Sequence, residues 1–175
     1  LAEKRPSIAR AVVKLDEGFA GEGNGVFTYP ADKTDSEAIR AALHKLDWSS
    51  ESETFAAFMR KYQEMGGIVE ELIVASETRS PSVQMRIHPD GTSAVVSSHE
   101  QVLGGSTGQV YLGCRFPADD EYRQLLQDEA DKIGEALAQK GALGRFGIDF
   151  LVSREPGGEW NSHAIEINLR MSGTT

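Results

Sequence analysis

The sequence predicts an α+β fold with mainly antiparallel sheets, and three features carry that expectation. Alternating apolar and polar residues occur in paired runs joined by short turns, three stretches repeat apolar residues at helical spacing, and strands and helices do not alternate one for one. A doubly wound parallel sheet is therefore the less natural architecture. With 175 residues and an apolar share of 39%, the chain suits one domain or two small lobes.

The run from Ile8 to Leu15 is β-branched and apolar except for Arg10 and Lys14, and Val26 to Tyr29 follows a stretch carrying Gly18, Gly21, Gly23 and Gly25. Two strands joined by a glycine loop are expected. Thr34 and Glu37 have capping-box spacing, and Ile39, Ala42, Leu43 and Leu46 then recur with helical period, predicting a helix from about 35 to 46. Phe55, Phe58, Met59 and Tyr62 predict a second helix, stopped by Gly66 and Gly67.

A β-rich half begins near residue 67. Ile68 to Ala75 is strand-like, and Val83 to Ile87 and Thr92 to Ser97 flank the turn residues Pro89, Asp90 and Gly91. The loop Gly104 to Gly108 precedes a strand from Gln109 to Arg115. Between Pro117 and Lys140, the stripe Tyr122, Leu126, Ala130, Ile133 and Leu137 predicts the longest helix. No internal repeat or heptad seam is present.

Acidic residues outnumber basic ones 27 to 18, and the net charge of -9 repels nucleic-acid backbones and anionic lipid alike. No apolar run approaches the roughly 18 residues of a membrane span, and the first ten residues carry charges where a signal peptide needs an apolar core. A cytoplasmic protein without nucleic-acid or membrane partners is expected. The one cysteine, Cys114, rules out an intrachain disulfide and fits a small buried thiol. His44, His88, His99 and His163 lack zinc-ligand spacing.

The most informative segment runs from Arg145 to Arg170, where two alternating strands flank Glu155, Pro156, Gly157, Gly158 and Glu159. A turn centred between Gly157 and Gly158 pairs Phe150 with Ile165, Ile148 with Ile167 and Phe146 with Leu169 on an apolar face, with Val152 opposite His163 near the turn. On the other face Asp149 meets Glu166, and Asn168 and Arg170 follow in step. Opposed Cβ atoms lie about 5 Å apart, so the two carboxylates repel unless a cation intervenes. A divalent ion is one solution and Arg170 another. Magnesium favours such hard oxygen donors when a nucleotide supplies phosphates, whereas an ordinary solvated hairpin face is the competing explanation.

Lys14 near the end of its strand, followed by the glycines, suits a phosphate-covering loop, since glycine lets backbone N–H groups approach phosphate oxygens. The P-loop order fails because the lysine comes first, and a kinase-type G-x-G-x-x-G fails at Val26. A surface hairpin without ligand remains the alternative.

In order, the strand lysine with its glycine loop, IVEELIVASE, GIDFLVS and AIEINLR resemble the ATP-grasp superfamily, and in particular the peptide ligases related to pheganomycin biosynthesis. The resemblance extends from Lys14 to Arg170 and is most specific in the ending IEINLRMSGTT. It implies two α+β lobes gripping ATP, here a small lobe over 1–66 with the glycine loop and a large lobe over 67–175 with the magnesium site. By the same resemblance, Lys14 with Gly21 and Gly23 would meet phosphates, Glu70, Glu71, Leu72 and Ile73 would line adenine, and Glu77 would face ribose. Asp149, Glu166 and Asn168 would hold Mg2+, Arg170 and Lys14 would be catalytic, and Arg86, His99 and Gln101 are candidates for facing substrate.

The implied activity is ATP-dependent ligation of a small-molecule or peptide carboxylate to an amine through an acyl phosphate. An ATP-grasp kinase with a hydroxyl acceptor and a non-catalytic nucleotide-binding module are the alternatives. The family's usual preceding substrate domain has no counterpart in these residues, so a fragment of a longer enzyme is expected.

Overall fold

The computed structural model describes residues 1–17, 23–50, 52–104 and 110–171. Gly21 and most of the loop predicted over Gly104 to Gly108 lie outside these residues. The chain divides into two compact units, one of Leu1–Ile73 with Leu103–Tyr111, the other of Val74–Val102 with Leu112–Thr175. The sequence division at 66/67 puts 67–73 and 103–111 in the large lobe, whereas both segments belong to the first unit here.

In the first unit, β1 (Arg10–Leu15) lies between β2 (Asn24–Thr28) and β4 (Gly67–Glu71), antiparallel to both, and β3 (Asp47–Trp48) extends the sheet beside β2. Alternation turns Ala11, Val13 and Leu15 into a core with Phe27 and Phe58. Two helices, α1 (Ser36–Leu43) and α2 (Phe55–Met65), lie in sequence between β2 and β4, on either side of β3. The cap of α1 lies one residue beyond the capping box read from sequence: Asp35 Oδ1 accepts from the N–H groups of Glu37 at 2.9 Å and Ala38 at 3.2 Å. Thr34 instead donates its hydroxyl to Asp32 Oδ1. Gly66 ends α2 at φ +82°, a left-handed geometry that glycine adopts without steric cost.

The second sheet, which lies in the second unit except for the ends of two strands, contains β5 (Glu77–Arg79), β6 (Pro81–Ile87), β7 (Ser93–Gly104), β8 (Val110–Arg115), β9 (Gly144–Arg154) and β10 (Asn161–Asn168). They form one sheet in the order β10-β9-β6-β7-β8, with β5 added against β9. The predicted turn between β6 and β7 is present, with Gly91 N–H donating to the His88 carbonyl. The longest helix, α3 (Arg123–Gln139), buries Leu126, Ala130 and Gly134. A Cβ on Gly134 would lie 2.8 Å from Met85 Cε and 2.9 Å from Ser93 Oγ, so the absent side chain lets helix and sheet approach closely.

The hairpin register needs one correction. Near the turn Asn161 pairs with Ser153, His163 with Leu151 and Ala164 with Phe150, not Val152 with His163 or Phe150 with Ile165. A bulge between Ala164 and Glu166 then absorbs one residue, after which Glu166 pairs with Asp149 and Ile167 with Ile148 as predicted. The strands β3 and β5 were not predicted, because two or three residues carry no readable period. The strand expected from Ile68 to Ala75 ends at Glu71.

Candidate functional site

Period-two alternation sorts the second unit's sheet into two chemically different faces. Val83, Met85 and Ile87 of β6 and Phe146, Ile148 and Phe150 of β9 are buried in one core with Leu126 and Ala130 of α3. Their neighbours point the other way: Ser82, Gln84 and Arg86 on β6, and Asp149 on β9. His99 pairs with Ser82, which itself pairs with Asp149, so His99 and Gln101 of β7 share this polar face. Glu166 and Asn168 of β10 complete it.

Asp149 is the centre of the cluster. Its Oδ1 accepts from Gln101 Nε2 at 2.8 Å and its Oδ2 from Asn168 Nδ2 at 3.2 Å. Arg170 Nη2 donates to Asn168 Oδ1 at 3.1 Å. Burial pushes the Asp149 carboxyl above its ordinary value, against the opposing influence of the Ser82 hydroxyl, His99, Arg170 and Asn168. Retaining charge at a half-buried carboxylate thus depends on this ring of donors.

His99 is 2% exposed, packs its ring 4.9 Å from that of Phe116, and leaves Nδ1 without a hydrogen-bond partner among the described residues. Burial lowers its basicity, while Asp149 and Glu100 act in the opposite sense. Between His99 and Gln101, the buried Glu100 faces the helix side, where its Oε1 accepts from the Tyr122 hydroxyl at 2.6 Å and from the Asp119 N–H at 3.1 Å.

In the first unit, Lys14 Nζ and Glu70 Oε2 form a diagonal ion pair at 2.5 Å, since Lys14 and Ile68 are register partners and the next pair on the same face is Val12 with Glu70. Glu71 accepts from Arg5 Nε at 2.9 Å. Leu72 N–H donates to the Arg10 carbonyl at 3.2 Å, and Ile73 follows in irregular backbone. Gly23 turns into β2 at φ +83°, its carbonyl accepting from Leu15 N–H at 2.9 Å. Glu77 bridges Arg79 and Arg154, each at 2.6 Å. Arg86 is exposed opposite Arg145, and Cys114 is only half-buried.

The chemistry of the donor set fits magnesium. Two carboxylates on adjoining strands and one amide oxygen are hard donors, and among the described residues no group of three His, Cys, Asp or Glu converges on a metal position. An ion here would draw its remaining ligands from phosphate and water, as magnesium does in nucleotide sites. Ser82 was absent from the sequence-derived set, although the alternation Ser82, Gln84, Arg86 against Val83, Met85, Ile87 was a readable signal.

Residues 34–175 match a family model described as IQCH-like, ATP-grasp. The match starts after Lys14 and the glycine loop. L-propargylglycine–L-glutamate ligase of Streptantibioticus cattleyicolor is 47% identical over 116 residues, 66% of this chain and 22% of that protein. Biotin carboxylase of Campylobacter jejuni, solved with a β,γ-ATP compound, superimposes with a TM-score of 0.65 at 22% identity, over 99% of this chain and 33% of the other. The biotin carboxylase domain of Hydrogenobacter thermophilus 2-oxoglutarate carboxylase, solved with MgADP and bicarbonate, gives 0.66 at 13% identity, over 98% and 33%. The chain thus spans a third or less of the length of these relatives, and the structural likeness establishes the fold.

Proposed function

Because this chain belongs to the IQCH-like ATP-grasp family, we propose that it is the nucleotide- and magnesium-binding part of a ligase that activates a carboxylate with ATP and joins it to an amine. The observation that carries this reading is the pairing of Asp149 with Glu166 across β9 and β10, with Asn168 on the same face and Arg170, past the end of β10, hydrogen-bonded to Asn168. The likeness to a ligase of propargylglycine and glutamate supports amino acids as the class of both substrates.

In this reading Asp149, Glu166 and Asn168 would hold magnesium, which would supply charge neutralisation on the nucleotide's phosphates. Asn168 Oδ1, which accepts from Arg170, would be the amide ligand with that guanidinium turned aside, and Arg170 would then face the anion that develops on the transferred group. Lys14 exchanges Glu70 for phosphate oxygens, and Gly21 and Gly23 keep side chains out of the covering loop. The segment Glu70, Glu71, Leu72 and Ile73 lines adenine and Glu77 serves the ribose.

A carboxylate oxygen attacks the γ-phosphorus, the bond to the β-bridging oxygen breaks, and ADP leaves. The amine nitrogen then attacks the acyl carbon, phosphate departs, and the nitrogen loses a proton. These side chains work by alignment and charge compensation, without a covalent enzyme intermediate. No described helix is long and apolar enough to cross a membrane, and the reading is of a cytoplasmic enzyme.

The test is calorimetric titration of ADP with and without magnesium into wild type and Glu166→Gln. The expected result is tighter binding with magnesium in wild type and loss of that dependence in the variant. Magnesium-independent binding by wild type, or no binding, overturns the reading. With amino acids and hydroxylamine supplied to the longer enzyme, a hydroxamate supports the acyl phosphate, and a phosphorylated hydroxyl product in its place shows a kinase.

A further inference from the structure

The amide of Gln101 has a job that its place beside the cluster does not announce. Its Nε2 approaches Asp149 Oδ1 at 2.8 Å, while Asn168 approaches the second oxygen at 3.2 Å, so each carboxylate oxygen has one amide donor. Two donors on opposite oxygens fix both the rotation and the tilt of a carboxylate, and an acceptor with two lone pairs per oxygen retains capacity for an ion.

The two donors differ in what they are free to do. Asn168 is on the same strand as Glu166, and its amide oxygen is itself a proposed ion ligand, so its hold on Asp149 changes when an ion is bound. Gln101 comes from β7, two strands away from β9, and has no such second duty. Its backbone is held firmly: the adjacent Glu100 is clasped by the Tyr122 hydroxyl at 2.6 Å and the Asp119 N–H at 3.1 Å, and Gln101 N–H donates to the Ser80 carbonyl at 3.2 Å. The segment that leads into α3 and the link between β5 and β6 thereby set the place from which the amide reaches Asp149.

We propose that Gln101 is a positioning residue for Asp149, holding its carboxylate in the orientation that admits a divalent ion on the Glu166 side. This rests on the magnesium-nucleotide reading given above. A substrate-facing role, suggested by the resemblance, is not needed to explain the side chain.

Gln101→Met keeps length and removes the donor, and Gln101→Glu puts an acceptor against an acceptor. Magnesium titrations at fixed ADP are run on both variants and wild type, together with ADP titrations without metal and thermal unfolding. The expected result is a tenfold to hundredfold weaker magnesium affinity in both variants, larger in Gln101→Glu, with metal-free ADP affinity within about twofold of wild type. Magnesium affinity within about twofold of wild type in Gln101→Met overturns the inference and leaves the functional reading standing. A parallel fall in metal-free binding and unfolding temperature in both variants also overturns it, since that pattern marks a merely structural side chain. Wild type without any magnesium dependence sinks the functional reading, and the inference with it.

Discussion

Asp149 and Glu166 are direct partners across the β9 and β10 ladder, and they meet there because β10 bulges between Ala164 and Glu166. The turn region places the register one residue away from that expected from a turn centred on Gly157 and Gly158, and the bulge restores it. The two offsets cancel, so the acidic pair falls where alternation from the sequence put it. The offset at the turn, before the bulge, places His163 opposite Leu151.

Asp149→Asn separates stability from ion binding. Burial raises this carboxyl above its ordinary 3.8, so the fold favours the protonated form. That contribution is present below the unfolded value and is lost as pH rises through the folded one, which makes the ionised group a liability at neutral pH. The neutral variant is therefore expected to unfold at no lower temperature than wild type in metal-free buffer, while magnesium no longer tightens ADP. Calorimetric melting with a parallel titration checks both.

Lys14→Met is expected to weaken ADP binding about tenfold, close to 1.4 kcal/mol, whether or not magnesium is present. The magnitude is that of one charge-assisted hydrogen bond to phosphate, reduced because Lys14 gives up its pairing with Glu70 on binding. Isothermal titration reads it, and an unchanged affinity argues against a phosphate role for Lys14.

Tyr122→Phe leaves the Glu100 carboxylate with only the Asp119 N–H among the hydrogen bonds described here, at a cost of about 1.5–3 kcal/mol measured by urea unfolding. In wild type, burial first and Glu100 second drive the Tyr122 phenol well above its ordinary 10. Its stabilising contribution is complete below pH 10 and is lost as pH rises through the raised value. Alkaline spectrophotometric titration is expected to show a tyrosine that ionises well above pH 10 in wild type and is missing from Tyr122→Phe.

Gly134→Val is expected to destabilise the second unit by about 1–3 kcal/mol, because the first added carbon would already press on Met85 and Ser93. Urea unfolding followed by Trp160 fluorescence measures this. Glycine is required here by crowding, since Gly134 has ordinary helical backbone.

The sequence by itself determined the α+β class, the three helices and the two long hairpins, because periods of two and 3.6 are local and survive any tertiary arrangement, whereas the opposition of Asp149 to Glu166 also needed the bulge in β10. It did not determine the one-residue shift of the α1 cap from Thr34 to Asp35, nor the short strands β3 and β5, which exist only because a neighbouring strand offers hydrogen bonds. Tertiary structure alone decided that Gln101 reaches Asp149 across 48 residues of chain, and that Glu100 beside it is clasped by Tyr122. Strand order brings those side chains together, and strand order follows from packing α3 against one face of the sheet, which no local pattern encodes.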